Sequence, residues 1–142
     1  MRLPSFLQPD PTEAPANLLV GPAPAGKLSV LLVEDEPAFR MLLAMTLEQD
    51  GYHVIEACDG REAFAAAQKA VRVDLVVSDI RMPLMDGVTM ARRLRRVQPG
   101  VPVLFVTGYP RDLKTPTANT RVLEKPFVRA DLMKAVYELT GA

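Results

Sequence analysis

The sequence has little of what several large classes of protein depend on. Its 142 residues include one cysteine, Cys58, which excludes an internal disulfide framework and favours a reducing compartment. No apolar run approaches the length of a membrane span, and the first residues lack the basic-then-apolar pattern of a signal peptide. Lysine plus arginine and aspartate plus glutamate both total 17, so net charge points to no nucleic-acid or membrane partner. We therefore expect a cytoplasmic protein without direct nucleic-acid binding.

Nitrogen and sulfur ligands for a metal are equally scarce. His53 is the only histidine, and no cluster of cysteines or histidines is present to suit zinc. His53 begins a predicted strand and lies outside any helical histidine motif, which argues against a phosphohistidine role. Any metal site must therefore be built from oxygen ligands.

Prolines are concentrated at the N-terminus, where six of the 13 occur at positions 4, 9, 11, 15, 22 and 24. That density opposes a regular helix or a central strand. We predict that residues 1–26 are a proline-rich, disordered tail and that residues 27–142 form a single domain.

From Lys27 onward, short apolar runs alternate with amphipathic stretches. Such alternation predicts a three-layer α/β domain with a mostly parallel sheet covered by helices on both sides. The stretch between Thr107 and Lys125 contains Pro110 and Pro116 and has no apolar periodicity, so its helix should be short or frayed. The predicted strands are LSVLLV (28–33), HVIEA (53–57), DLVVSD (74–79), VPVLFVT (101–107) and RVLE (121–124).

Polar residues follow the strands at one edge of the predicted sheet, because parallel strands all end on the same side. They are Glu34, Asp35, Asp79, Thr107 and Lys125. Three neighbouring carboxylates repel one another unless cations balance them, and one lysine with one divalent cation would do so. Mg²⁺ suits such oxygen ligands, and Mn²⁺ could substitute for it. A metal, a lysine, a hydroxyl and a nucleophilic aspartate together suit phosphoryl transfer.

Four motifs in this order, LLVEDEP, DLVVSDIRMPLMDG, VLFVTGY and EKPF, resemble the receiver domain of two-component response regulators from residue 28 to about 140. The resemblance implies a flavodoxin-like (βα)5 fold with strand order 2-1-3-4-5. It implies that Asp79 accepts a phosphoryl group from a phosphohistidine of a sensor histidine kinase or phosphotransfer protein. It also implies that Thr107 and Lys125 contact that group and that Lys125-Pro126 is a cis bond. The implied Mg²⁺ ligands are Asp35, Asp79, the backbone carbonyl of Arg81 and, through water, Glu34.

Two features depart from the common receiver pattern. Val122 stands three residues before the lysine, where receivers usually carry a switch aromatic. The sequence VTGY resembles a subgroup of single-domain receivers that lack this aromatic. We hypothesise that Tyr109 takes over the switch role. Arg81 and Tyr109 also occupy the positions that tune phosphoryl lifetime in relatives, and their bulk predicts a long lifetime.

Because the chain ends soon after the last helical pattern, we expect a stand-alone receiver that signals through protein contacts and is not an enzyme. An aspartyl-phosphate phosphohydrolase is a second possibility, but it would need an Asp-x-Asp motif at the first strand and a cap over its pocket. A third is a degenerate receiver that binds partners without phosphate, and a fourth is a receiver fragment of a hybrid histidine kinase. The basic cluster of the third helix is interpreted as a solvated face, with an anionic protein partner as the alternative: Arg92, Arg93, Arg95 and Arg96.

Overall fold

Five parallel strands form one sheet in the order β2-β1-β3-β4-β5. The computed structural model describes residues 26–69, 72–113 and 118–141. The strands are β1 (Ser29–Val33), β2 (His53–Ala57), β3 (Leu75–Ser78), β4 (Val103–Thr107) and β5 (Thr120–Glu124). The α-helices within the described residues are α1 (Pro37–Gln49), α2 (Gly60–Lys69), α3 (Gly87–Val97) and α4 (Arg129–Thr140). The predicted sheet order is therefore confirmed.

Strand β1, which lies between β2 and β3, shows how the sheet is buried on both faces. Successive side chains of a strand point to opposite sides. Accordingly, Leu31 and Val33 lie in the core beneath α2 and α3, and Val30 and Leu32 lie in the core beneath α1 and α4. All four are fully buried. The continuous apolar run read from the sequence is thus a strand with two apolar faces, as parallel sheets require.

Side chains that precede each helix set where it begins. Glu36 caps α1 by accepting from the backbone N–H of Phe39 at 2.6 Å, and Pro37 takes the first helical position. Helix α2 begins with one half of a capping box, since the backbone N–H of Glu62 donates to Asp59 Oδ1 at 2.9 Å. The carboxylate of Glu62 reaches back to the N–H of Cys58 at 2.9 Å, one residue earlier than the standard box.

The segment between β4 and β5 departs most from the expected five helices. Within the described residues it contains only a 3₁₀ turn at Pro110–Asp112, while residues 114–117 lie outside the description. A proline at the start and one turn of length give such a helix little stability of its own. The described part of this segment thus agrees with the short or frayed helix expected there.

The sequence also predicted a cis peptide bond and an N-terminal tail, and the structure describes only the first of these. The predicted cis bond between Lys125 and Pro126 is present. The proline-rich tail predicted for residues 1–26 lies, apart from Gly26, outside the described residues. In the part of the chain that is described, no helix is both long and apolar enough to cross a membrane.

Candidate metal centre

Three carboxylates meet where β1 and β3 end. Oxygen atoms of Glu34, Asp35 and Asp79 all lie within 4.8 Å of one another. Glu34 is buried, Asp79 is partly buried and Asp35 is exposed. The structure thus brings together the three acids that the sequence placed at one edge of the sheet.

Backbone hydrogen bonds that continue the ladder past the strand ends hold this edge in place. The N–H of Glu34 donates to the carbonyl of Ala57 at 3.1 Å, and the N–H of Asp79 donates to the carbonyl of Val33 at 3.2 Å. Farther along the same edge, where β4 and β5 end, the N–H of Lys125 donates to the carbonyl of Thr107 at 2.8 Å. The site residues are therefore positioned by the rigid sheet rather than by a free loop.

Lys125 supplies the positive charge of the cluster. Its Nζ lies 3.0 Å from Asp79 Oδ2 and 3.3 Å from Glu34 Oε1. It also lies 4.3 Å from the ring centroid of Phe39, within reach of a cation–π interaction. Burial alone would lower the pKa of Lys125, but its interactions with Asp79 and Glu34 outweigh burial and raise it. The ammonium group is therefore charged at neutral pH.

One lysine does not balance the three acids. Burial raises the pKa of Glu34 to about 7, Lys125 opposes that rise, and the charge of Asp79 adds to it. The Oε2 atom of Glu34 is buried and has no hydrogen-bond partner among the described residues. A buried carboxylate oxygen without a donor is costly unless a cation or water meets it. The all-oxygen donor set and this unpartnered atom fit Mg²⁺.

Thr107 ends β4 at the same edge and is fully buried. Its hydroxyl oxygen accepts a hydrogen bond from the backbone N–H of Tyr109 at 2.9 Å. Because that bond uses the oxygen as an acceptor, the hydroxyl proton remains able to donate elsewhere. Thr107 can thus offer a hydrogen-bond donor to a group bound at the edge.

The loop after β3 folds tightly back on Asp79. Asp79 Oδ1 accepts from the N–H of Ile80 at 2.6 Å, and the N–H of Gly87 donates to the carbonyl of Ile80 at 2.7 Å. A Cβ atom at Gly87 would lie 2.0 Å from the carbonyl oxygen of Asp79. Only glycine allows this approach, which explains the glycine that closes the sequence VVSDIRMPLMDG.

Arg81 and Tyr109, singled out from the sequence, lie against each other. The guanidinium carbon of Arg81 is 3.4 Å from the ring centroid of Tyr109, and its Nε donates to Asp112 Oδ2 at 2.7 Å. The metal-binding role of the Arg81 backbone carbonyl and the switch role of Tyr109 both stay predictions. Sequence reasoning missed Phe39 and Asp112, because an aromatic on a helix and an acid in a turn carry no motif of their own.

The four arginines of α3 do not all lie on one solvated face, as the sequence predicted they would. Arg95 is half-buried, and its guanidinium donates to the carbonyls of Val101 and Asn119, each at 3.1 Å. It also donates to the hydroxyl of Thr120 at 3.1 Å. Its neighbours are exposed, as expected of a solvated face: Arg92, Arg93 and Arg96. The solvated-face interpretation is therefore wrong for Arg95, which ties α3 to the strands beside it.

Comparisons with known proteins agree with this geometry. The family described as Response regulator receiver domain matches residues 30–137. The response regulator receiver protein CpdR of Brucella abortus is 33% identical over 114 residues, which cover 78% of this chain and 94% of CpdR. The sensor kinase CckA of the same organism is 42% identical over 120 residues, which cover 81% of this chain but only 13% of the kinase.

Solved structures give the same result. The receiver domain of the hybrid histidine kinase CckA superimposes with a TM-score of 0.70 at 35% identity, covering 79% of this chain and 98% of that one. The receiver domain of the sensor histidine kinase PA1611 from Pseudomonas aeruginosa, which holds a magnesium ion in its active site cleft, gives a TM-score of 0.72 at 29% identity. That match covers 82% of this chain and all of the other.

Proposed function

Because the chain belongs to the response regulator receiver family, we propose that it accepts a phosphoryl group on Asp79 from a phosphohistidine of a sensor histidine kinase or phosphotransfer protein. Its sheet order is that of the flavodoxin-like receiver fold. The observation that carries the proposal is the position of Asp79, within 4.8 Å of two other carboxylates and 3.0 Å from Lys125 Nζ. Members of the family act in signalling, and the transfer to Asp79 is the chemistry that signalling requires.

The proposal includes a divalent cation, Mg²⁺, with Mn²⁺ as a substitute. Asp35 and Asp79 would bind it directly, Glu34 would do so through water, and the Arg81 backbone carbonyl would complete the set. The unpartnered Oε2 of Glu34 supports this assignment, as does the magnesium ion in the related receiver of PA1611. When bound, the cation neutralises charge on the phosphoryl oxygens.

Asp79, Lys125 and Thr107 each have a separate role in the proposed transfer. A carboxylate oxygen of Asp79 attacks the phosphorus, a P–O bond forms, and the P–N bond to the donor histidine breaks with its electron pair left on the imidazole nitrogen. Lys125 stabilises negative charge on the transferring group, and the Thr107 hydroxyl donates a hydrogen bond to it. The product is an acyl phosphate on Asp79, which draws Thr107 and the segment after β4 into a new arrangement.

An apolar surface beside the site supports a protein donor. Helix α1 begins directly after the acids that follow β1. It carries three large apolar side chains, each at least half exposed: Met41, Leu42 and Met45. Of these, Leu42 lines a groove that also includes Phe39, Phe127 and Lys125, so the groove reaches the lysine of the site. Exposed apolar clusters of this kind typically mark protein contacts. We assign this surface to the phosphohistidine-bearing partner.

A pair of substitutions tests that assignment. Leu42→Asp should slow transfer from a phosphorylated histidine phosphotransfer protein while leaving phosphorylation by acetyl phosphate unchanged. The matched control, Val97→Asp, changes an exposed apolar residue at the last position of α3 and should affect neither reaction. Equal slowing of both reactions by Leu42→Asp would count against a docking role.

The setting of the reaction is also part of the proposal. The match to 94% of the length of CpdR, a receiver protein, supports a stand-alone receiver. In this proposal it signals through phosphorylation-dependent protein contacts. CckA, of which the match covers 13%, represents the alternative of a receiver within a longer kinase. A cytosolic location is supported by the single cysteine, Cys58, which is free in the structure.

Incubation with acetyl phosphate and Mg²⁺, followed by intact-mass measurement, tests the proposed function. The unmodified chain should gain a single phosphate that hydroxylamine removes, as expected of an acyl phosphate. Omission of Mg²⁺ or the Asp79→Asn substitution should abolish the adduct. An adduct of equal yield on the Asp79→Asn protein would refute the assignment.

A further inference from the structure

Three side chains that the transfer step does not use form one stacked group near Asp79. Arg81 Nε donates to Asp112 Oδ2 at 2.7 Å, and a second nitrogen makes a longer contact of 3.4 Å with Oδ1. On another side, the guanidinium carbon of Arg81 lies 3.4 Å from the ring centroid of Tyr109. We call Arg81, Tyr109 and Asp112 the arginine clamp. It joins the loop after β3 to the 3₁₀ turn after β4.

The clamp is connected to both residues proposed to meet the phosphoryl group. Arg81 follows Asp79 by two residues, and the residue between them, Ile80, is buried in the core. Tyr109 donates its N–H to the hydroxyl oxygen of Thr107 at 2.9 Å. Asp112 in turn donates its N–H to the carbonyl of Tyr109 at 3.1 Å. A change at Asp79 or Thr107 therefore reaches the clamp through one or two contacts.

Charge makes the clamp sensitive to the state of Asp79. In the unmodified protein the guanidinium of Arg81 is paired with the carboxylate of Asp112, with 2.7 Å between Nε and Oδ2. A phosphoryl group on Asp79 would bring about two negative charges and three acceptor oxygens to a point two residues from Arg81. Guanidinium groups pair strongly with such anions.

We propose that Asp112 is a positioning residue which holds Arg81 on Tyr109 in the unmodified protein, and that the phosphoryl group on Asp79 competes with Asp112 for this guanidinium. This inference rests on the proposed function. Capture of Arg81 by the phosphoryl group frees the turn Pro110–Asp112 from the loop after β3. By linkage, whatever weakens the Arg81–Asp112 pair strengthens binding of a phosphoryl group, and the reverse also holds.

Beryllofluoride, which mimics the phosphoryl group, provides the test in the presence of saturating Mg²⁺. Its affinity is measured from amide chemical shifts for the unmodified chain and for Asp112→Asn, Asp112→Glu, Arg81→Ala and the double variant Arg81→Ala with Asp112→Asn. Asp112→Asn removes the competing charge and should tighten binding by about twofold to fivefold, the range of an exposed ion pair. Asp112→Glu restores the charge and should bring the affinity back toward that of the unmodified chain.

The double variant separates a role through Arg81 from a merely structural one. With Arg81 absent, Asp112→Asn should leave beryllofluoride affinity unchanged. Unchanged or weakened binding by Asp112→Asn alone, or an equal gain in the Arg81→Ala background, would overturn the inference while leaving the proposed function intact. Failure of the unmodified chain to bind beryllofluoride would overturn the proposed function, and this inference with it.

Discussion

The ammonium nitrogen of Lys125 lies 3.0 Å from Oδ2 of Asp79, although 46 residues separate them along the chain. The backbone N–H of Lys125 donates to the carbonyl of Thr107 at 2.8 Å, which ties this lysine to the end of β4, the strand beside β3. A half-buried carboxylate there would be costly without a partner, because its water shell is partly lost. The pair therefore explains how an aspartate can directly follow an apolar strand at a partly buried position.

Removal of the lysine charge should disable transfer. Lys125→Met keeps much of the side-chain volume but removes the cation that stabilises the transferring group. We expect the rate of adduct formation with acetyl phosphate to fall by about 100-fold, the usual cost of losing one such group. The control Lys134→Met changes an exposed lysine of α4 and should react at the normal rate. A normal rate for Lys125→Met would contradict the role given to this residue.

Tyr109→Ala tests the switch hypothesis. The substitution removes the ring that contacts Arg81 but leaves the acceptor and metal-binding carboxylates in place. Phosphorylation by acetyl phosphate should therefore persist, while the amide shift changes that beryllofluoride induces after β4 should shrink. Tyr137→Ala, at an exposed tyrosine of α4, is the control. Shift changes of unaltered size in Tyr109→Ala would disprove the hypothesis.

The contribution of Arg95 to the free energy of unfolding can be measured against that of Arg92, an exposed arginine of the same helix. Arg95→Met leaves the carbonyls of Val101 and Asn119 without this donor, and we expect the free energy of unfolding to fall by about 1–3 kcal/mol. Arg92 is exposed, so Arg92→Met should change it by less than about 0.5 kcal/mol. Urea denaturation measures both. Equal effects would mean that the solvated-face interpretation holds for Arg95 as well.

Two glycines near the site should respond differently to substitution by alanine. Gly87→Ala places a Cβ atom 2.0 Å from the carbonyl oxygen of Asp79, which must move. We expect a loss of about 1–3 kcal/mol in the free energy of unfolding together with slower phosphorylation. Gly108→Ala meets no atom within 4 Å and should unfold at the normal urea concentration. Normal stability of Gly87→Ala would show that the loop after β3 is not held as described.

Residues that obey a strong local pattern were predictable from the sequence. The strands were predictable, because runs such as LSVLLV are short, almost entirely apolar and followed by polar residues. The position of those polar residues at one sheet edge follows from parallel topology. Asp112 and Arg95 were not, because their roles depend on partners 31 and 24 residues away. Strand β4 begins at Val103 rather than Val101, since Pro102 cannot donate a ladder hydrogen bond.

Borohydride trapping tests the central claim most directly. Acyl phosphates of aspartate are reduced by borohydride to homoserine, which peptide mass sequencing locates in the chain. After incubation with acetyl phosphate and Mg²⁺, we predict homoserine at position 79. Homoserine at Asp35 or at any other carboxylate, with Asp79 unchanged, would contradict the account.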